Sequence, residues 1–264
     1  MNIFTIHGGK GTGAFKDDLS TLDKWIKSRF NLTSTDLRNK EVLEIGCGKG
    51  GFCVYAALAG ASRVVGLDLD EKLIAPSRQN IHQYYPELES NIELKSLELK
   101  QYNRGTFDMV FSKNAFEHVE DLEEMLEEIK HRLNPNGRLY ASFGPLWNAP
   151  FGDHRRFHRK LFKVSGRKIP QIVFPWSHLI IPESTFVRWI NRSSSIEPIT
   201  SIYAGINKRS FSDYDSAFKN SGLSIIKFEK NKSHLTSKIF NVLGKFPGLT
   251  ELCTNSITVV LEKK

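Results

Sequence analysis

The chain has 264 residues, a formal net charge of +8, 40% hydrophobic residues and 25% charged residues. This fits one large domain, or a core domain with an insertion, and excludes wholesale disorder. The three cysteines, Cys47, Cys53 and Cys253, show no paired spacing, which argues against a disulfide framework or a cysteine zinc site and for a reducing, cytoplasmic setting.

The amino-terminal MNIFTIHGGKG lacks the basic start and apolar stretch of a signal peptide, and no run of ~18 apolar residues is present to span a membrane. Residues 1–40 read as a lead-in with one amphipathic helix around Leu19–Phe30, where Leu22, Trp25 and Ile26 share a face. From Glu41 strands and helices alternate. Glu41–Ile45 reads as a strand, followed by a glycine turn and an apolar helix over Phe52–Ala59. Arg63–Leu69 is a second strand, and Pro76 is expected to delay or kink the helix after it. Asn91–Leu94 and Phe107–Ser112 are further strands. Leu122, Met125, Leu126, Ile129 and Leu133 form one helical stripe. Asn134-Pro-Asn-Gly137 is expected to stop that helix and turn into the strand Arg138–Phe143. This beat predicts an α/β fold with a mostly parallel, doubly wound sheet, whose ligands sit at the carboxyl ends of the strands.

The rhythm breaks near Gly144. Residues 147–206 are rich in proline and aromatics and are expected to form a lid or substrate insertion after the fifth strand, between a cofactor-binding core at 41–146 and a carboxyl-terminal part of the core at 207–264. Between Phe151 and Pro170 there are seven Lys/Arg against one acid, Asp153. Ser212 is expected to cap a helix carrying Tyr214, Ala217 and Phe218, with Gly222 at its end. Leu223–Phe228 and Ile257–Leu261 read as a final hairpin-like pair.

The strongest motif is VLEIGCGKGG, residues 42–51. Gly46, Gly48 and Gly51 let the backbone approach a ligand where a strand runs into a helix. Glu44 sits inside an apolar strand, where a carboxylate needs donors or a cation. Asp68 ends the second strand, ~20 residues on, at the place where an acid accepts ribose hydroxyls of a nucleoside cofactor. The His7–Gly13 run lacks the closing G-K-[ST] of a phosphate loop.

With VLEIGCGKGG, VVGLDLD (64–70), FDMVFSKNAFEHVED (107–121) and LNPNGRLYAS (133–142) in this order, the chain resembles the class I S-adenosylmethionine-dependent methyltransferases, notably their type 11 small-molecule group. The resemblance covers about residues 41–144 and resumes near 207. It implies a Rossmann-like sheet, S-adenosylmethionine as cofactor, its methionine end near Glu44 and the glycine turn, and its ribose on Asp68. Cofactor contacts are expected from Glu44, Gly46, Cys47, Gly48, Asp68, Leu69, Ser96, Leu97 and Asn114. The adenine contact stays open among Ser96, Leu97 and Glu98, because the usual Gly-Asp after the third strand is missing. Lys49 is expected to turn away from a sulfonium.

An oxygen acceptor also needs a base. His118, after the fourth strand, is the leading candidate, with His154 and His158 of the lid next and Glu117 behind them. His154 and His158 at i, i+4, with His178 or Asp153, have the spacing of metal ligands on a helix, but Pro150 and Gly152 disfavour a helix there, and no metal is assigned. Ser112-Lys-Asn-Ala departs from the Asn/Asp-Pro-Pro-aromatic pattern of base amine methylation, which disfavours nucleic acid. Phe143, Trp147, Phe151 and Phe157 interleaved with the basic cluster suit an anionic or sugar-containing small molecule, such as a saccharide or lipid-linked glycan intermediate. The apolar Ile172–Ile190 stretch suits a pocket or peripheral contact with a membrane. The alternatives are an NAD-dependent oxidoreductase, which the glycines and Asp68 also fit, and a nucleic-acid binder using the basic lid. The sequence sets no oligomeric state.

Overall fold

The computed structural model describes residues 19–154, 175–193, 198–232 and 249–264. Seven strands form one sheet: β1 (Glu41–Ile45), β2 (Arg63–Asp68), β3 (Ile92–Ser96), β4 (Phe107–Lys113), β5 (Leu133–Phe143), β6 (Ser224–Lys232) and β7 (Thr254–Glu262). Their order is β3-β2-β1-β4-β5-β7-β6. Strands β1 to β5 pair in parallel, and β7 runs antiparallel to both β5 and β6. The order reverses between β1 and β4, which opens the crevice where ligands of such sheets bind. The fold is a mostly parallel, Rossmann-like sheet.

Side-chain alternation along each strand builds two cores. Val42, Val64, Met109, Phe111, Tyr140 and Val260 face one side. Leu43, Val65, Val110, Leu139 and Val259 face the other. The first core is closed by α1 (Leu19–Phe30) and α2 (Gly51–Leu58). Trp25 meets Phe52 edge-on at 5.7 Å, and Phe111 lies 4.6 Å from Phe52 and stacks on Tyr140 at 4.9 Å. The second core is closed by α4 (Leu122–Arg132), reached after α3 (Glu71–Tyr84), and by the helix Phe211–Asn220.

Several boundaries differ from the sequence expectations. Helix α3 opens at Glu71, capped by Asp70 accepting from the Lys72 amide at 3.0 Å, and carries Pro76 inside it rather than starting late. Asn134–Gly137 turns the chain as expected, with Asn136 at φ 63° and a Cβ at Gly137 standing 2.8 Å from Asn134 O. The turn falls inside the span of β5, whose pairing passes from Phe107↔Leu133 to Met109↔Arg138. After α5 (Ser177–Ile180) and α6 (Glu183–Ser193), α7 spans Phe211–Asn220 and is capped by Ser210, not Ser212. Ser210 and Asp213 form a reciprocal capping box, and the Ser212 amide is instead held by Glu251 at 2.9 Å. A short α8 (Thr250–Cys253) precedes β7. Among the described residues, no helix is long and apolar enough to cross a membrane.

Candidate active site

A cavity of about 730 Å³ opens at the carboxyl ends of β1, β2 and β4, a size typical of small-molecule sites. Of the residues singled out in the sequence, Gly46, Asp68, Leu69, Leu97, Glu98, Asn114 and His118 lie in its wall.

The turn after β1 is built by its glycines. Gly46 has φ 74°, and a Cβ there would stand 2.6 Å from Ala115 Cβ, so only glycine lets the turn press against the loop after β4. The amides of Gly46 and Cys47 both donate to Leu67 O, at 2.8 and 3.0 Å. The Gly48 amide donates to Asp68 Oδ2 at 2.8 Å, and the Asp70 amide to Asp68 Oδ1 at 3.0 Å. Main-chain donors therefore fix the Asp68 carboxylate at the cavity wall.

Glu44, Cys47, Gly48 and Ser96 are not part of that wall. Glu44 is 4% exposed and accepts from Cys53 Sγ at 3.2 Å. Cys47 is also buried, and its thiol and that of Cys53 crowd β2 so closely that a Cβ at Gly66 would lie within 3.0 Å of both. The hydrogen bond with the Cys47 thiol, burial and the neighbouring Glu44 push the Cys53 thiol well up, which makes it a packing residue rather than a nucleophile. Gly48 acts through Asp68. Ser96 Oγ donates to Leu69 O at 3.2 Å, bracing the segment that bears the exposed Leu69. Lys49 is exposed and lies off the cavity wall.

The acidic part of the wall carries no cofactor or acceptor assignment from the sequence, apart from Glu98, one of the three adenine candidates. Glu120, Asp121, Glu124 and Glu128 line it from α4 and the loop before it, and Glu98 and Lys100 from the segment after β3. Lys100 lies 3.1 Å from Glu98 and 3.5 Å from Glu124, so its charge is offset locally. In a chain of net charge +8, this mouth is acidic, which favours a cationic ligand.

The loop after β4 carries the acceptor-side candidates. His118 Nδ1 bonds the main-chain oxygen of Gly205. A carbonyl only accepts, so Nδ1 carries the hydrogen and the neutral ring keeps its lone pair on Nε2. The His154 ring lies 5.1 Å from that of His118. Glu117 is 2% exposed and accepts from the Gly144 amide at 3.3 Å. Burial pushes its carboxyl up to about 7, outweighing the hydrogen bonds to it. His178 is set apart: its Nε2 donates to Trp147 O at 2.6 Å, and burial lowers its basicity. His158, Phe157 and all seven Lys/Arg of the basic cluster lie outside the described residues, as does His7–Gly13.

The segment 205–209, unremarked in the sequence, clamps this loop. Asn207 Nδ2 donates to Phe116 O and Val119 O, both at 2.8 Å, and the Asn207 amide donates to Glu117 O at 3.1 Å. Arg209 meets the Glu123 carboxylate with two nitrogens, at 2.8 and 2.6 Å.

Residues 43–139 match a family model described as a methyltransferase domain. A ubiquinone biosynthesis O-methyltransferase from Coxiella burnetii is 29% identical over 106 residues, 40% of this chain and 44% of that protein. The chain spans less than half the length of the curated relatives it matches. An S-adenosylmethionine-dependent methyltransferase structure from Mesorhizobium loti aligns over 93% of this chain and 100% of that one, with TM-score 0.56 and 20% identity. A magnesium protoporphyrin IX methyltransferase from Synechocystis, solved with bound SAH, aligns over 93% and 81%, with TM-score 0.52 and 16% identity. Residues 43–139 thus match a methyltransferase domain, and the chain shares the fold of the solved S-adenosylmethionine-dependent methyltransferases.

Proposed function

We propose that this chain transfers a methyl group from S-adenosylmethionine to an oxygen of a small molecule. The observation that carries this reading is the acidic cavity at the switch point of the sheet, with the Asp68 carboxylate held at its wall by the Gly48 and Asp70 amides. Asp68 accepts the ribose hydroxyls, Leu69 and Leu97 flank the adenine, and the glycine turn with Asn114 borders the methionine end. Glu44, Cys47, Gly48 and Ser96 support these contacts from behind. The acidic mouth favours the cationic sulfonium. The sulfonium is itself the activated group, so the protein's task is alignment and exclusion of water. His118 is the acceptor-side catalytic residue, with His154 beside it.

The acceptor class follows from the segment after β5. Its aromatic and basic composition suits an anionic, sugar-bearing molecule, and a lipid-linked glycan intermediate matches its apolar part. Leu179, Ile180 and Trp189 are exposed there, Ile180 at 77%, which supports peripheral contact with the lipid surface that carries such an acceptor. The test is incubation of the purified chain with S-adenosylmethionine and a panel of free and lipid-linked saccharides. The expected result is release of S-adenosylhomocysteine matched by a gain of one methyl group on a saccharide oxygen. Methylation of none of these saccharides, with nucleic acid or protein methylated in parallel incubations, overturns the acceptor class.

A further inference from the structure

Three metal-ligating side chains meet beside the cavity. Glu117, His118 and His154 each offer one ligand atom, and these atoms all lie within 4.8 Å of one another. Two come from the loop after β4 and one from the turn that follows β5. His118 also lines the cavity. Its Nδ1–H is committed to Gly205 O, the arrangement by which a ligating imidazole is usually oriented and its other nitrogen made more basic. Glu117 supplies a second, independent sign. It is 2% exposed, and its Oε2 is buried with no hydrogen-bond partner among the described residues. A buried carboxylate oxygen without a donor is costly, and a cation is the partner that removes the cost.

We infer that Glu117, His118 and His154 hold a divalent cation of the borderline class, such as zinc, cobalt or manganese, at the acceptor end of the cavity. Two imidazoles and one carboxylate favour these ions over magnesium and calcium, which take oxygen sets. Ligand atoms about 2.1 Å from a tetrahedral ion stand ~3.4 Å from one another, so side-chain adjustment of about an ångström closes the set. Three protein ligands leave a coordination position for water or for an oxygen of the acceptor. Sequence spacing directed attention to His154 with His158; the structure instead sets His154 against His118. The ion's part in methyl transfer rests on the function proposed above, whereas its binding does not.

The experiment is a titration of Co²⁺ into the full-length chain stripped with chelator, followed by calorimetry and visible ligand-field absorption, with S-adenosylhomocysteine titrated separately. The wild type is expected to bind Co²⁺ stoichiometrically, with Zn²⁺ displacing it. Glu117→Gln and His154→Ala are each expected to weaken Co²⁺ binding by at least ~10–100-fold while circular dichroism stays that of the wild type. Absence of Co²⁺ binding to the wild type, or wild-type affinity in either folded variant, overturns the site. Should Glu117→Gln fail to fold, His154→Ala decides alone. Co²⁺ binding that the variants lose supports the site even where S-adenosylhomocysteine does not bind, in which case the cofactor reading is the one that falls.

Discussion

The carboxamide of Asn207 donates to the main-chain oxygen of Phe116 at 2.8 Å. It thereby ties the carboxyl-terminal part of the chain to the loop that carries Glu117 and His118. The same amide nitrogen reaches Val119 O, and the Tyr214 hydroxyl donates to Asn207 Oδ1 at 3.1 Å. The loop after β4 is therefore positioned by a residue about ninety positions later in the chain.

Asn207→Ala leaves the Phe116 and Val119 carbonyls without this donor. The expected loss of stability is ~1–3 kcal/mol, read as a lower denaturant midpoint at unchanged slope. Turnover should fall more than S-adenosylhomocysteine affinity does, because Asp68 and the glycine turn make no use of the clamp. Wild-type turnover in a folded Asn207→Ala variant contradicts the positioning role.

His118→Ala removes the side chain proposed to meet the acceptor. Loss of an acid–base or acceptor-orienting group of this kind lowers kcat by ~10²–10⁴-fold. Affinity for S-adenosylhomocysteine, measured by calorimetry, should barely change. A variant with near-normal kcat would move the acceptor-side role to another residue, with His154→Ala the next substitution to assay.

The Glu123–Arg209 pair predicts a pH dependence of stability. The Arg209 guanidinium holds the Glu123 carboxyl below its ordinary value. A carboxyl depressed in the folded state stabilises it above the unfolded-state pKa, ~4.3 for Glu. That contribution is lost as pH falls through the folded value. Glu123 is largely solvent-exposed, so screening limits the effect to ~0.5–1 kcal/mol. Arg209→Ala should be less stable than the wild type at pH 7 by this amount, and the gap should close in acid, below the depressed folded-state value. A gap that persists in acid points to lost packing of the arginine stem instead.

Phe111 tests the core beneath the site. It is fully buried between Phe52 and Tyr140, and Phe111→Ala should cost ~3–5 kcal/mol. Thermal unfolding that is shifted by less than a degree or two would show that the aromatic layer closes over the gap.

What the sequence made legible was local. The 3.6-residue stripe of α4 and the apolar runs of β1, β2 and β4 report burial directly. Glycines at 46 and 48, with Asp68 one strand later, report a turn whose geometry glycine alone permits. The contacts that arise from folding over long separations left no such period. The acidic wall from Glu120 to Glu128 reads in sequence as an ordinary solvated helix face. Gly205 and Asn207 carry no motif, although they fix His118 and its loop. The cap of α7 was placed two residues late because Ser210 and Ser212 are equally good by type, and the capping box with Asp213 decides between them. Pro76 does not delay α3, which runs from Glu71 through it with Ile74 and Ile81 buried on the core side.

The most direct test of the account is calorimetric titration of S-adenosylhomocysteine, with NADH in parallel, into the wild type and Asp68→Ala. The account predicts binding of S-adenosylhomocysteine to the wild type, a loss of ~1.5–3 kcal/mol in Asp68→Ala for the missing charge-assisted hydrogen bonds, and no binding of NADH. Unchanged affinity in Asp68→Ala would contradict the assignment of the ribose to this carboxylate, and NADH binding without S-adenosylhomocysteine binding would contradict the cofactor itself.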